Sequence, residues 1–339
     1  MTTFTPIDLA GFSKIISNLD KENTIKRESV VAGIGQNASL TKTDPNHLSL
    51  HSTSLFLEGI HFDLTYSPLH TLGYKIVTSV VSDLYAMNAE PVQLQLCIGL
   101  PNRISIEMAE QFFLGIHEAC RRYSIELTKA EPTASHQGLA ISASVSGTVP
   151  EKEVLQKVGA TEGELICVTG DLGSAVAGLR VLMREKKQWQ QEEDNHFQPD
   201  LEGYDYVIKR QLKPEARTEI KEAFREAKFL PSSLTQVKQG LVTDLKSLLI
   251  SSGISAEIYS PAIPITLDTR KIADEMNEDV DKYAFYGGED FELLFTLPEK
   301  DEPRLRKVFD DFVVIGKTTK YDGALRINTG EETILMELD

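Results

Sequence analysis

Cysteine is scarce in this chain, with three in 339 residues, Cys97, Cys120 and Cys167. Their odd number and wide separation exclude a disulfide framework and give no metal-ligand spacing, so buried free thiols in a reducing compartment are expected. Tryptophan occurs once, as Trp189. No apolar run approaches the length of a membrane span, and the opening MTTFTPIDLAGFSKIISNL lacks a basic segment followed by an apolar one. A soluble, cytoplasmic protein is the expectation. Positive charge is also short, 35 Lys and Arg against 51 Asp and Glu, a formal net charge of -16. Such a surface repels nucleic-acid backbones and anionic membranes, which excludes both as main partners. A phosphate-bearing ligand must then be held by local donors or by a metal ion. Internal repeats and low-complexity tracts are missing as well.

What is present is ordinary globular material, 41% hydrophobic and 25% charged. The length exceeds what one core normally supports, which predicts two domains, residues 1–150 and 151–339. The stretch Ser54–Pro91 organises the first of them. It reads as a strand, a turn and a helix opened by Pro68 or Leu69, with Leu72, Ile76, Val80, Leu84 and Met87 forming one apolar stripe. Asn88 and Pro91 end it. Asp83 falls on or beside the stripe, and a buried carboxylate there needs a cation or a set of donors. Pairing with a nearby Lys and a role in metal or substrate chemistry are both open at this point.

Around that unit the periodicity predicts a helix over 8–20, a strand running from Val30 into a glycine-bearing loop, and a half-buried strand over His47–Thr53. Val92, Leu94, Leu96 and Ile98 alternate as a strand, Ser105 caps a helix to Tyr123, LTKAEPTASHQG reads as a loop, and LAISASVSGTV as a strand. In the second half, ELICVTG is a strand that turns through Gly170 and Gly173 into a helix. That layout can aim N–H groups at an anion or simply solve packing. Residues Lys186–Tyr206 read as an exposed loop or helix extension, followed by helices over Arg217–Phe229, Leu241–Ser252 and Pro303–Phe309 and strands over Phe291–Thr296 and Val313–Lys317. The fold class is α/β (α+β).

Taken together, GIG at 33–35, EGIHFD at 58–63, SDLYAMNAEP at 82–91, VTGDLGSAVAGL at 168–179 and YGGEDFELLFT at 286–296 resemble the thiamine-monophosphate kinase family. That family belongs to the superfamily of aminoimidazole-ribonucleotide synthetase and selenophosphate synthetase. The resemblance implies a two-domain fold whose N-terminal sheet is completed in a homodimer, and transfer of the ATP γ-phosphoryl to thiamine monophosphate with several Mg²⁺ ions between the two anions. Such chemistry asks the protein for positioning and charge neutralisation, hence aspartates that hold metal.

Several positions depart from the family. Its GDDAA reads GQNAS, with Gln36 and Asn37 for two aspartates; its TTD reads STS, with Ser54 for Asp. Its GGDT reads KAEP, giving Lys129, Ala130 and Glu131, and its DISDGL is set against LVTDLK, with Leu241 at the first Asp and Lys246 close to the second, Asp244. Asp83 and Asp244 remain as catalytic and metal candidates, with Glu131 a weaker one. Amide carbonyls bring no charge and Leu241 cannot ligate, so the expected Mg-ATP centre is depleted. Lys129 is the expected charge substitute, pairing with Glu131, Asp83 or Asp244. On the substrate side His61, Glu289 and Tyr321 fall where the family places thiamine contacts; Lys157, Thr243, Gly170 and Gly173 fall on the nucleotide side. The expectation is a family member with weak or lost catalysis. The alternatives are a non-catalytic dimer that binds a thiamine phosphate or a protein partner, and a kinase with a rebuilt site for another substrate.

Overall fold

The structure is a computed structural model that describes residues 27–191 and 198–338. The helix expected over 8–20 lies outside the described residues. A six-stranded sheet carries the order β1 (Val30–Ala32), β2 (Ser39–Lys42), β3 (His47–Leu57), β6 (Ala140–Pro150), β4 (Glu90–Leu100), β5 (Glu126–Ala134). Its pairings are antiparallel except β4 with β5, where helix α2 (Ile106–Tyr123) makes the crossover that a parallel pair demands.

Helix α1 (Leu69–Tyr85) packs on this sheet and against α2. Its stripe residues Leu72, Ile76, Val80, Leu84 and Met87 are all buried in one core with Leu50, Leu94, Leu96 and Ile116. Each such side chain contributes roughly 1.5–3 kcal/mol through burial, which fixes the face that α1 turns inward. The helix ends at Tyr85, and in the turn that follows Asn88 takes the left-handed conformation, φ 59°. Ser105 caps α2 as expected, accepting the N–H of Met108.

Three expectations change here. Residues 127–134 are not a loop but most of β5, whose side chains are nearly all exposed. No alternation marks them, because the strand is made by main-chain pairing along β4, from Gln93↔Glu126 to Leu100↔Ala134. Val92 leaves the apolar face of β4 because the register shifts between Pro91 and Gln93. Cys97, on the opposite face from Leu96 and Ile98, is exposed rather than buried, while Cys120 and Cys167 are buried free thiols.

The second sheet has seven strands in the order β13 (Thr333–Glu337), β12 (Ala324–Asn328), β9 (Ser255–Tyr259), β11 (Phe312–Thr319), β7 (Leu165–Thr169), β10 (Glu292–Leu297), β8 (Ser233–Val237). Only β12 with β9 is parallel. Strands β7, β8 and β10 are buried at every residue; β7 and β10 accordingly carry apolar runs without alternation, whereas β8 buries Ser233, Thr235 and Gln236 among its five residues. Helices α3 (Ser174–Gln191), α4 (Asp205–Leu212), α5 (Glu219–Ala227), α6 (Leu241–Ser252), α7 (Leu267–Met276), α8 (Val280–Tyr286) and α9 (Glu302–Arg306) accompany it. The end of the sheet that carries Thr169, Val237 and Glu292 faces α1, and the candidate site lies along that seam.

Candidate functional site

Asp83 is 5% exposed on the inward face of α1. Ser52 Oγ donates to Oδ2 at 2.8 Å, Gln236 Nε2 donates to Oδ1, and Lys238 Nζ stands 3.2 Å from both oxygens. The same ammonium lies 3.5 Å from Ser54 Oγ. Gln236 is in β8 and Lys238 follows it, so strand alternation sends both side chains to one face, toward α1. The need for a cation that the sequence posed for Asp83 is thus met inside the chain.

The neighbouring polar positions are engaged too. Asn37 Oδ1 accepts from Thr235 Oγ1 at 3.1 Å, and Gln36 Oε1 accepts the N–H of Lys157 at 3.3 Å. Lys157 Nζ donates to Ser247 Oγ at 3.1 Å on α6, where Thr243 stands exposed one turn earlier. Burial holds the Lys157 ammonium below the usual lysine value, against the pull of Asp244 and Asp83. Asp244 Oδ2 accepts the N–H groups of Lys238 and Gln239, both at 2.8 Å, and so ties the start of α6 to the strand end. Burial pushes that carboxyl up to about 6, with the two backbone donors opposing.

Leu241 is packed in the second-sheet core. The segment that reaches Asp83 is QVKQGL, Gln236–Leu241, which keeps the Gly-Leu ending of DISDGL. The counterpart of that motif therefore sits five residues before the segment to which the sequence alone assigned it, and Gln236, Lys238 and Gln239 take its polar positions. The Gly-Leu pair was the available signal. Of the partners expected for Lys129 the structure shows Glu131, at 2.7 Å, but with both side chains more than half exposed on the outer face of the first sheet, so the role of charge substitute beside Asp83 is corrected. Lys238, not Lys129, neutralises Asp83.

Mg²⁺ asks for an octahedron of oxygens with carboxylates among them. Around Asp83 the nearest groups are donors, an ammonium, an amide N–H and a hydroxyl; Asp244 is bound to backbone N–H groups; Glu131 is bound to Lys129. Among the described residues no group of three or more His, Cys, Asp or Glu could hold a metal ion. These residues do not fit the ion that the resemblance implies.

A cleft of about 320 Å³ opens beside this centre, lined by His61, Phe62, Asp63, Tyr66, Lys75 and Glu289 among others. Lys75 precedes Asp83 on α1 by eight residues, roughly 12 Å along the helix. Its ammonium is 2.6 Å from Glu289 Oε2. His61 Nδ1 accepts the N–H of Leu57 at 3.0 Å, which places its proton on Nε2. Asp63 pairs with Lys186 of α3.

Glu289 is aimed by a strained turn. Glu289 and Phe291 have φ of 60° and 54°, left-handed values unusual for such side chains. Between them Asp290 is fully buried and accepts the N–H groups of Gly173 at 2.9 Å and Ala175 at 3.2 Å. The N-terminus of α3 thus faces a carboxylate of the chain itself, where the sequence allowed a nucleotide anion. Burial pushes the Asp290 carboxyl up to about 7, against Arg210 and the two N–H groups. A Cβ on Gly170 would meet Arg217 Nη2 at 1.9 Å, so that glycine makes room for the Arg217–Glu292 ion pair. Arg210 joins Glu292 at 2.9 Å and completes the support under the turn.

The structure therefore brings His61 and Glu289 into one cleft and Asp83, Ser54, Asn37, Gln36 and Lys157 into a centre next to it. Tyr321 is not with them. It follows the end of β11 that pairs with Ser255, whereas the opposite end, Phe312, pairs with Thr169 beside the site. Lys75, Lys238, Gln236, Arg210 and Arg217 were not singled out in the sequence, since their partners lie 75 to 214 residues away.

Residues 35–149 match the family described as AIR synthase related protein, N-terminal domain. The chain is 30% identical to the thiamine-monophosphate kinase of Salmonella typhimurium over 293 residues, 85% of this chain and 82% of that one. It is 29% identical to that of Buchnera aphidicola from Schizaphis graminum, over 96% of both chains. Among solved structures, AaThiL complexed with AMPPCP and TMP superposes with a TM-score of 0.80 at 24% identity, covering 98% and 97% of the two chains. The thiamine-monophosphate kinase of Stenotrophomonas maltophilia K279a gives a TM-score of 0.72 at 25% identity, covering 96% of this chain and 98% of that one. Kinship of this extent, in sequence and in fold, makes the chain a member of the thiamine-monophosphate kinase family.

Proposed function

We propose that this chain binds a thiamine phosphate in the cleft of His61 and Glu289 and transfers phosphate to it from Mg-ATP weakly or not at all. The observation that carries this reading is the state of Asp83, whose two oxygens are both engaged by Lys238 and by hydrogen-bond donors. Two polyanions cannot be brought together without cations between them, and an ammonium bound to its own carboxylate has little charge to spare for a phosphate. The cleft, by contrast, keeps the partly exposed Lys75–Glu289 ion pair, an imidazole N–H and an aromatic wall, which together offer an ammonium to a phosphate and a carboxylate and aromatic face to a cationic heteroaromatic ring. A related structure, AaThiL, was solved with TMP and AMPPCP bound, which supports placing a thiamine phosphate here. Residual nucleotide binding would fall to Lys157 and Thr243.

The protein is read as a cytoplasmic homodimer of two-domain chains divided near residue 150. The outer face of the first sheet supports the dimer: Leu55 and Val92 are 54% and 50% exposed there, among small Ser and Thr side chains that allow close approach.

Calorimetry tests the functional reading. Thiamine monophosphate should bind, Mg-ATP should bind at millimolar strength or weaker, about 4 kcal/mol or less, and no thiamine diphosphate should form. Steady production of thiamine diphosphate would overturn it.

A further inference from the structure

We infer that Lys238 stands where a divalent cation would otherwise rest beside Asp83, and that its ammonium excludes such an ion from that place. The inference rests on the reading that this chain does without Mg²⁺, and it names the residue responsible.

Oxygen atoms converge on the Lys238 ammonium: both carboxylate oxygens of Asp83 at 3.2 Å and Ser54 Oγ at 3.5 Å. Ser52 Oγ bonds the same carboxylate at 2.8 Å. An independent sign comes from Gln236, 2% exposed, whose Nε2 serves Asp83 while its carbonyl Oε1 has no partner among the described residues. A buried carbonyl left without a donor is costly, and rotating the amide would offer that oxygen to a cation beside Asp83. The donor set is a carboxylate, an amide carbonyl and two hydroxyls, all hard oxygen ligands. What stands among them is a monovalent cation on a flexible stem. A divalent ion cannot share the place, because the ammonium both repels it and occupies the oxygens it would use.

Among the described residues Lys157 and Asp244 also bring charge to this centre, and they offset each other. Removing Lys238 alone therefore leaves one uncompensated buried carboxylate, a situation a divalent ion relieves.

The test uses the full chain and Mn²⁺ as the probe, read by electron paramagnetic resonance and by thermal denaturation. Wild type should leave Mn²⁺ free in solution and show the same melting temperature in Mn²⁺ and in EDTA. Lys238→Ser should melt several degrees lower in EDTA, should regain most of that loss in Mn²⁺, and should bind at least tenfold more of the ion than wild type. The pair Asp83→Asn with Lys238→Ser removes both charges, should fold, and should lose the Mn²⁺ response. Should Lys238→Ser prove too unstable to purify, Lys238→Gln supplies the same comparison with a neutral side chain of similar reach. Mn²⁺ bound by wild type and lost on Asp83→Asn would overturn the inference, as would a Lys238→Ser or Lys238→Gln protein that takes up no ion. Thiamine diphosphate formation by wild type bears on the functional reading instead, so the two can fail separately.

Discussion

At the residue scale, burial of charge decides most of what this site can do. Asp244 is the clearest case, because its carboxyl is raised from 3.8 to about 6 by desolvation. A folded-state value above the unfolded one means that the group's contribution is fully present below about pH 4 and is lost as pH rises through about 6. A rise of that size corresponds to about 3 kcal/mol as an order of magnitude. Asp244→Asn can still accept both N–H groups through one oxygen, since both now go to Oδ2. The variant should therefore gain on wild type by up to about 3 kcal/mol between pH 4 and pH 7, measured by urea midpoints at the two values; a constant difference would remove burial as the cause. Glu289 offers a second test. Its carboxylate is partly exposed in the cleft and paired with Lys75, so on the proposed binding mode Glu289→Gln should weaken thiamine-monophosphate binding roughly tenfold, read by calorimetry.

Among the elements, helix α1 matters most, since it carries both Lys75 and Asp83. Its placement depends on a close crossing with α2. A Cβ on Gly115 would stand 1.8 Å from the His70 carbonyl oxygen, and one on Gly73 would stand 2.2 Å from that of Phe112. Alanine is intrinsically the better helix former by about 1 kcal/mol, but overpacking of a fixed backbone costs about 1–3 kcal/mol. Here the clash is with backbone, which cannot rotate away, so packing wins. Gly115→Ala should lower stability by about 1–3 kcal/mol in a denaturant titration, and by shifting α1 it should also weaken ligand binding in the cleft. An unchanged or raised midpoint would mean that the two helices adjust freely. The same scale explains the turn at 287–291. Its left-handed Glu289 and Phe291 persist because Asp290 is locked onto the start of α3 and Glu292 onto two arginines.

For the whole molecule, the outer face of the first sheet sets the expectation of a dimer. Analytical ultracentrifugation at micromolar concentration should return twice the chain mass; a monomer would leave Leu55 and Val92 unexplained. Lys129→Ala lies on this face, where its ion pair with Glu131 is solvent-screened. The melting temperature should stay where it is, in contrast to Lys238→Ser, whose partner is buried.

The sequence by itself determined the framework. The stripe on α1, the capped α2 and the strands β3 and β6 were legible because burial on one face imposes a period, β7 and β10 because full burial leaves a short apolar run, and the family motifs because turns need particular residues. It also posed the right question about Asp83, a buried carboxylate in need of a cation. The answer lay beyond it. β5 has no apolar period to read, since it exists through pairing with β4. Which lysine meets Asp83, and that Asp290 rather than a ligand meets the N-terminus of α3, depend on contacts between residues 155 and 117 positions apart. Charge pairing carries no periodic signature along a chain, because an ammonium serves any carboxylate within reach. Only the packing of the second sheet against α1 decided that Lys238, and not Lys129, is the one in reach.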